Sequence, residues 1–96
     1  MRYALTCKAE DDLIEIFRSS VEQFGPQQAE RYHSLLAATF EFLAENPRAA
    51  RERKEISPPV RVHPVGAHIV LYQIEDDEIL IIRIRHAHED WEGDEP

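Results

Sequence analysis

Histidine and arginine crowd the last quarter of this sequence: Arg83, Arg85, His86 and His88 fall close together, and Arg61 stands upstream. Breaking a phosphodiester through a neighbouring hydroxyl needs a base, an acid and cations for the phosphate. Arg61, Arg83 and Arg85 could hold a phosphate while His86 or His88 moves protons, because histidine alone titrates unperturbed near neutrality. Against this chemistry stand the acids from Glu89 to Glu95, which repel a polyanion beside such a centre, and a lysine complement of Lys8 and Lys54 alone. His86-Ala87-His88 followed by Glu89 and Asp90 also has the side-chain types of a metal site, since alternate strand residues share a face. Zinc needs three or four ligands, however, and the sole cysteine, Cys7, is remote in sequence. The histidines read better as solvated, and neither metal nor cofactor is expected. Cys7 near a helix start has a place where thiols gain reactivity, and its plainer reading is a small buried hydrophobe. Trp91, the lone tryptophan, is either an interface anchor or a cap on a sheet edge.

Three kinds of element must position these residues. Arg2 to Leu5 is a short strand, and Thr6 offers a hydroxyl as the N-cap of a helix whose stripe is Ala9, Leu13, Ile16, Phe17, Ser20 and Phe24. Gly25-Pro26 ends that helix and begins another, carrying Ala29, Tyr32, Leu36, Phe40 and Leu43 to a stop at Asn46-Pro47. So short a link makes the two an antiparallel hairpin. Arg48 to Pro59 is polar, charged and proline-terminated, and reads as a loop. Beyond it the period changes to two: Val60 to His63, Ala67 to Ile74 and Ile79 to Arg85 are β-branched runs separated by Pro64-Val65-Gly66 and by Glu75-Asp76-Asp77-Glu78. The order β-α-α-β-β-β predicts an α+β fold, a twisted antiparallel sheet with a helical hairpin packed on one face.

Length and charge narrow the function. The 96 residues suffice for a single domain, 1–96, with 89–96 as an acidic C-terminal tail, and leave no room for a separate cofactor module. The net charge is -8, yet nine of the nineteen acids lie in the turn at 75–78 and in the tail, so the body is near neutral. Direct nucleic-acid binding by the chain is disfavoured. No apolar run is long enough to span a membrane and the N-terminus has no signal-peptide pattern, so a cytoplasmic protein is expected. Both faces of the strands are partly apolar. The helices can cover one, and the other, assigned to Ile69, Leu71, Ile79 and Ile81, is expected to be buried by a protein partner.

The whole pattern resembles the ParE toxins of the RelE/ParE superfamily, the toxin halves of bacterial type II toxin–antitoxin modules. The likeness rests on Tyr3-Ala4-Leu5-Thr6, on Ala9 with Asp12-Leu13 and Ile16, and on Phe24-Gly25, Gln28-Ala29, Tyr32, Leu43-Ala44 and Pro47. Its most specific stretch is Arg61-Val62-His63-Pro64-Val65-Gly66-Ala67-His68-Ile69-Val70-Leu71-Tyr72, followed by Ile81-Ile82-Arg83-Ile84, His86 and Asp90-Trp91. Arg85 stands where the family usually has a hydrophobic residue, and Ala87-His88 where it usually has Gly-Arg. The resemblance implies a protein that is not an enzyme and that stops replication by binding DNA gyrase. It also implies a ParD-type antitoxin that neutralises the toxin in a hetero-oligomer and carries any contact with DNA. On this reading Arg83, His86 and Trp91 form the target-facing end, and Ile69, Leu71, Ile79 and Ile81 the antitoxin face. The alternative within the superfamily is a ribosome-dependent mRNA endoribonuclease of the RelE type.

Overall fold

A computed structural model of the chain describes residues 1–88. Its elements run β1 (Arg2–Leu5), α1 (Cys7–Phe24), α2 (Pro26–Glu45), β2 (Glu52–Arg53), β3 (Val60–Val65), β4 (His68–Glu75) and β5 (Glu78–His86). The local signals act as expected. The Thr6 hydroxyl accepts the Ala9 N–H at 3.1 Å and so caps α1. Gly25, at φ 87, turns the chain between helices, and Pro26 opens α2, where a missing N–H costs nothing.

The α+β architecture is the expected one, and the sheet refines it at both edges. Strand order is β1-β5-β4-β3-β2. β3, β4 and β5 are consecutive antiparallel strands, whereas β1 lies parallel to β5, with Leu5 beside Ile81, so the sheet is mixed. β1 reaches β5 because α1 and α2 return the chain across the sheet face, which gives the helical hairpin the role of a crossover. At the far edge the segment read as a loop contributes a two-residue strand, with Glu52 opposite Arg61. Pro64 and Val65 belong to β3, and the turn is confined to Gly66 and Ala67. Proline is tolerated there because β2 pairs only with the start of β3.

The helix-facing core joins Ala9, Leu36, Phe40 and Leu43 to Val65, Val70, Tyr72, Ile79, Ile81 and Ile84. Val60, Ile69, Leu71 and Ile82 make a second cluster on the other face, with Ile56, Val62 and Leu80 against it. This corrects the expected partner face. Register sets Ile74 opposite Ile79 and Tyr72 opposite Ile81, so Ile79 and Ile81 lie on the helix side and are fully buried. Ile69 and Leu71 do lie on the other side, but at 7% and 4% exposure they are closed over within the chain, by neighbours that include Ile56 of the presumed loop. The exposed apolar surface is elsewhere, on the helical hairpin. Phe17 and Phe24, read as core, are 37% and 59% exposed, and Ile14, Leu35 and Phe42 on the same two helices are exposed as well.

Candidate functional site

β1 stops at Leu5, so β5 runs on from Ile82 to His86 with no strand along that edge among the described residues. Side chains from α1 serve the exposed backbone instead. Thr6 donates its hydroxyl to the Ile82 carbonyl at 2.7 Å, and the Asp12 carboxylate accepts the Ile84 N–H at 3.0 Å. The same carboxylate takes Arg83 in a fork, Nε at 2.8 Å and a terminal nitrogen at 3.0 Å. A bidentate, charge-assisted pair of this kind is among the stronger polar contacts available.

Between α1 and this edge lies a groove of about 630 Å³. Asp12, Glu15, Ile16 and Phe24 form its α1 wall, Gln28 and Tyr32 its α2 end, and Ala67, His68, Arg83, Arg85 and His86 the sheet side. At the α2 end the Tyr32 hydroxyl lies 2.6 Å from His68 Nδ1, accepts the Ala67 N–H at 3.1 Å and stands 3.3 Å from the Val65 carbonyl. Burial raises the Tyr32 phenol above its ordinary value and the Ala67 N–H works against that shift, so the hydroxyl keeps its proton at neutral pH. His68 and His86 are cross-strand partners in the register, with ring centroids 5.4 Å apart and the rings edge to face. His86 in turn lies 5.4 Å from the His88 ring, and its Nδ1 accepts the His88 N–H at 3.3 Å.

The structure therefore gathers Arg83, Arg85 and His86 but separates them from Arg61. That guanidinium is held at the Ala50 carbonyl, 2.6 Å away, on β3 and outside the groove. The cation set supposed to hold a phosphate is thus divided, and Arg83 is already matched by Asp12. Trp91 and the acidic tail lie outside the described residues. Among those described, no group of three or more histidine, cysteine, aspartate or glutamate side chains is arranged to hold a metal, and no helix is long and apolar enough to cross a membrane. Cys7 is exposed rather than buried, since the first helical position looks outward. Tyr32, His68 and Asp12 are the site residues that pattern reading missed as such. Tyr32 sat in a core stripe and His68 at a strand start, and only the strand register brings His68 to His86.

A second, apolar groove of about 480 Å³ lies on the helices, between Glu10, Leu13, Ile14 and Phe17 of α1 and His33 of α2. Phe17 meets the His33 ring edge-on at 6.0 Å.

Comparison with known proteins places the whole assembly. Residues 3–91 match the family described as the ParE toxin of the type II toxin–antitoxin system, parDE. Toxin ParE1 of Mycobacterium tuberculosis is 31% identical over 90 residues, spanning 93% of this chain and 92% of the relative. Toxin ParE1 of Caulobacter vibrioides is 32% identical over 84 residues, spanning 88% and 86%. In fold, the chain matches a solved structure described as the chromosomal ParDE TA system from P. aeruginosa, with a TM-score of 0.78 at 24% identity over 90% of this chain and 95% of the other. The overall fold is thus shared, and the chain belongs to the ParE toxin family of type II toxin–antitoxin systems.

Proposed function

We propose that this chain arrests growth by binding DNA gyrase without catalysing a reaction, and that a ParD-type antitoxin neutralises it by covering the helical hairpin. The observation that carries the binding-only reading is the division of the cations. Arg61 is committed to the Ala50 carbonyl, Arg83 is forked onto Asp12, and the groove places the Asp12 and Glu15 carboxylates where an RNA backbone would have to pass. The end of the groove at Arg85 and His86, with Trp91 beyond it in the chain, is the proposed gyrase-facing surface. Arg83 supports that surface by holding the β5 edge.

The antitoxin surface moves from the sheet to the helices. Ile14 and Phe17 border an apolar groove that nothing among the described residues fills, which is how a short amphipathic partner segment is recognised. Neutralisation belongs to the cytoplasm, where both partners would be made.

The test is expression of the chain alone in bacteria, with DNA supercoiling and messenger RNA followed in the same culture. Loss of supercoiling by purified gyrase in the presence of the protein, with transcripts intact, is the expected result. Early decay of messenger RNA with gyrase unaffected would overturn the reading in favour of the endoribonuclease.

A further inference from the structure

The turn between β3 and β4 is built around one hydroxyl. Gly66 sits at φ 56 beneath the Tyr32 ring, where an added Cβ would come within 2.7 Å of it. Tyr32 Oη then meets Val65, Ala67 and His68 together. Its single proton can go to one acceptor. The 2.6 Å separation from His68 Nδ1 suits an O–H donor and is shorter than N–H donors usually give, while 3.3 Å to the Val65 carbonyl is beyond the usual hydroxyl range. The hydroxyl therefore donates to Nδ1, and the neutral His68 ring carries its proton on Nε2.

When His68 takes a second proton, Nδ1 becomes a donor. The hydroxyl can then accept from both Nδ1 and Ala67 and rotate its own hydrogen to Val65, which uses its full capacity of one donor and two acceptor sites. His68 is thus anchored in both protonation states, and its edge lies against His86 on the next strand. The charged and titratable groups that share the groove with it are Asp12 and Glu15 of α1, Tyr32 of α2, and Arg83, Arg85 and His86 of β5.

We propose that Tyr32 is a positioning residue of the candidate site: its hydroxyl fixes the tautomer and orientation of His68 and, through the ring contact, the orientation of His86. The functional consequence rests on the reading of His86 as target-facing. Nothing in the helical stripe distinguishes Tyr32 from a packing residue; the convergence of His68 and Ala67 on its hydroxyl does.

The experiment records ring nitrogen and proton signals of the histidines in the full-length labelled chain, together with gyrase inhibition. In the wild type His68 should hold the Nε2–H tautomer at pH 8. Tyr32→Phe keeps the ring over Gly66 and removes the hydroxyl. It should average the His68 tautomers, displace the His86 signals and weaken gyrase inhibition at least fivefold. His68→Gln, which leaves Tyr32 its other two partners, should displace the His86 signals in the same way. A His68 tautomer unchanged by Tyr32→Phe, or His86 signals unmoved in both variants, overturns the proposal. His86→Ala separates the two readings. Full inhibition by that variant removes the target-facing role while leaving the coupling among the rings standing, whereas lost inhibition with unmoved His86 signals in Tyr32→Phe removes the positioning role alone.

Discussion

Asp12, on the second turn of α1, takes both an Nε and a terminal nitrogen of Arg83 on β5, 71 positions away in sequence, while accepting the Ile84 N–H with the same carboxylate. Both side chains are largely withdrawn from solvent, at 16% and 20% exposure. One carboxylate therefore fastens the helix to the open edge of the sheet. Removing one partner of a mostly buried pair strands the other, which costs about 3 kcal/mol or more. Asp12→Ala should lower the melting temperature by more than 10 °C, at the ~4–8 °C per kcal/mol expected for a domain of this size. Asp12→Asn, which can still accept from Ile84, should lose less. Equal losses from the two variants would show that the Ile84 contact contributes nothing beyond the ion pair.

Thr6 does two jobs with one hydroxyl, capping α1 at Ala9 and donating to the Ile82 carbonyl. Thr6→Val keeps the shape and loses both bonds. A lost N-cap alone costs about 1 kcal/mol, and a carbonyl left without its partner adds a similar amount. Chemical denaturation should report a loss of about 2 kcal/mol with an unchanged m-value. A fall in m instead would point to a changed unfolded or native compactness rather than to the two bonds.

The two turning glycines differ in a way that substitution can read out. Gly25 lies at φ 87 and ψ 165 with open space where a Cβ would go, so Gly25→Ala meets backbone strain alone, about 1–3 kcal/mol. Gly66→Ala meets a comparable strain and the Tyr32 ring at 2.7 Å as well. Gly66→Ala should therefore be the more damaging of the two. Pairing it with Tyr32→Ala should recover part of the loss, and strict additivity in that double-mutant cycle would show that the close approach is relieved without cost.

Acid should weaken the fold partly through His63. Its ring packs 5.8 Å from Phe42, and burial holds its pKa below the ordinary 6.5. The unfolded chain then binds a proton that the folded chain resists. His63 thus imposes no penalty above about 6.5, and stability is lost as pH falls from there through the lowered folded value. His63→Gln should flatten that part of the stability–pH curve between pH 7 and pH 5. An unaltered slope would place the acid sensitivity elsewhere.

The parts of this fold written in local chemistry were legible. Thr6, Gly25-Pro26 and Asn46-Pro47 bound two helices whose second stripe, from Ala29 to Leu43, is buried as its spacing requires except at the half-buried Tyr32. Non-local pairings were not. A four-residue strand gives no sign of its neighbour, so the parallel match of Leu5 with Ile81 depends on how the hairpin returns the chain. Glu52 and Arg53 form a strand only because β3 offers an edge, and their own residues favour a loop. The site depended on a single irregularity. From Glu75 opposite Glu78, an unbroken hairpin would set His68 across from Arg85; the bulge beside Leu71 and Tyr72 shifts the register by one and delivers His86. Nothing in a period-two pattern announces such a slip. The misplacement of Ile79 and Ile81 has a different cause: strand alternation alone does not say that they share a side with Ile74 and Tyr72.

The proposed antitoxin surface can be separated from the proposed target surface by charge. Ile14 is 60% exposed on α1 and borders the apolar groove with Phe17 and His33, on a different part of the helix from Asp12 and its fork with Arg83. Ile14→Glu therefore removes little core area and should change stability by less than about 0.5 kcal/mol. If a partner segment buries that side chain, placing a carboxylate there costs it apolar contact and adds an unpaired charge. Antitoxin binding should then weaken on the order of a hundredfold, by surface titration of the two purified proteins. Gyrase inhibition should be unchanged, because the groove end at Arg85 and His86 is untouched. A variant still neutralised at wild-type antitoxin concentrations would return the search for the antitoxin surface to the rest of the hairpin, with Leu35 and Phe42 of α2 as the next exposed apolar residues to alter.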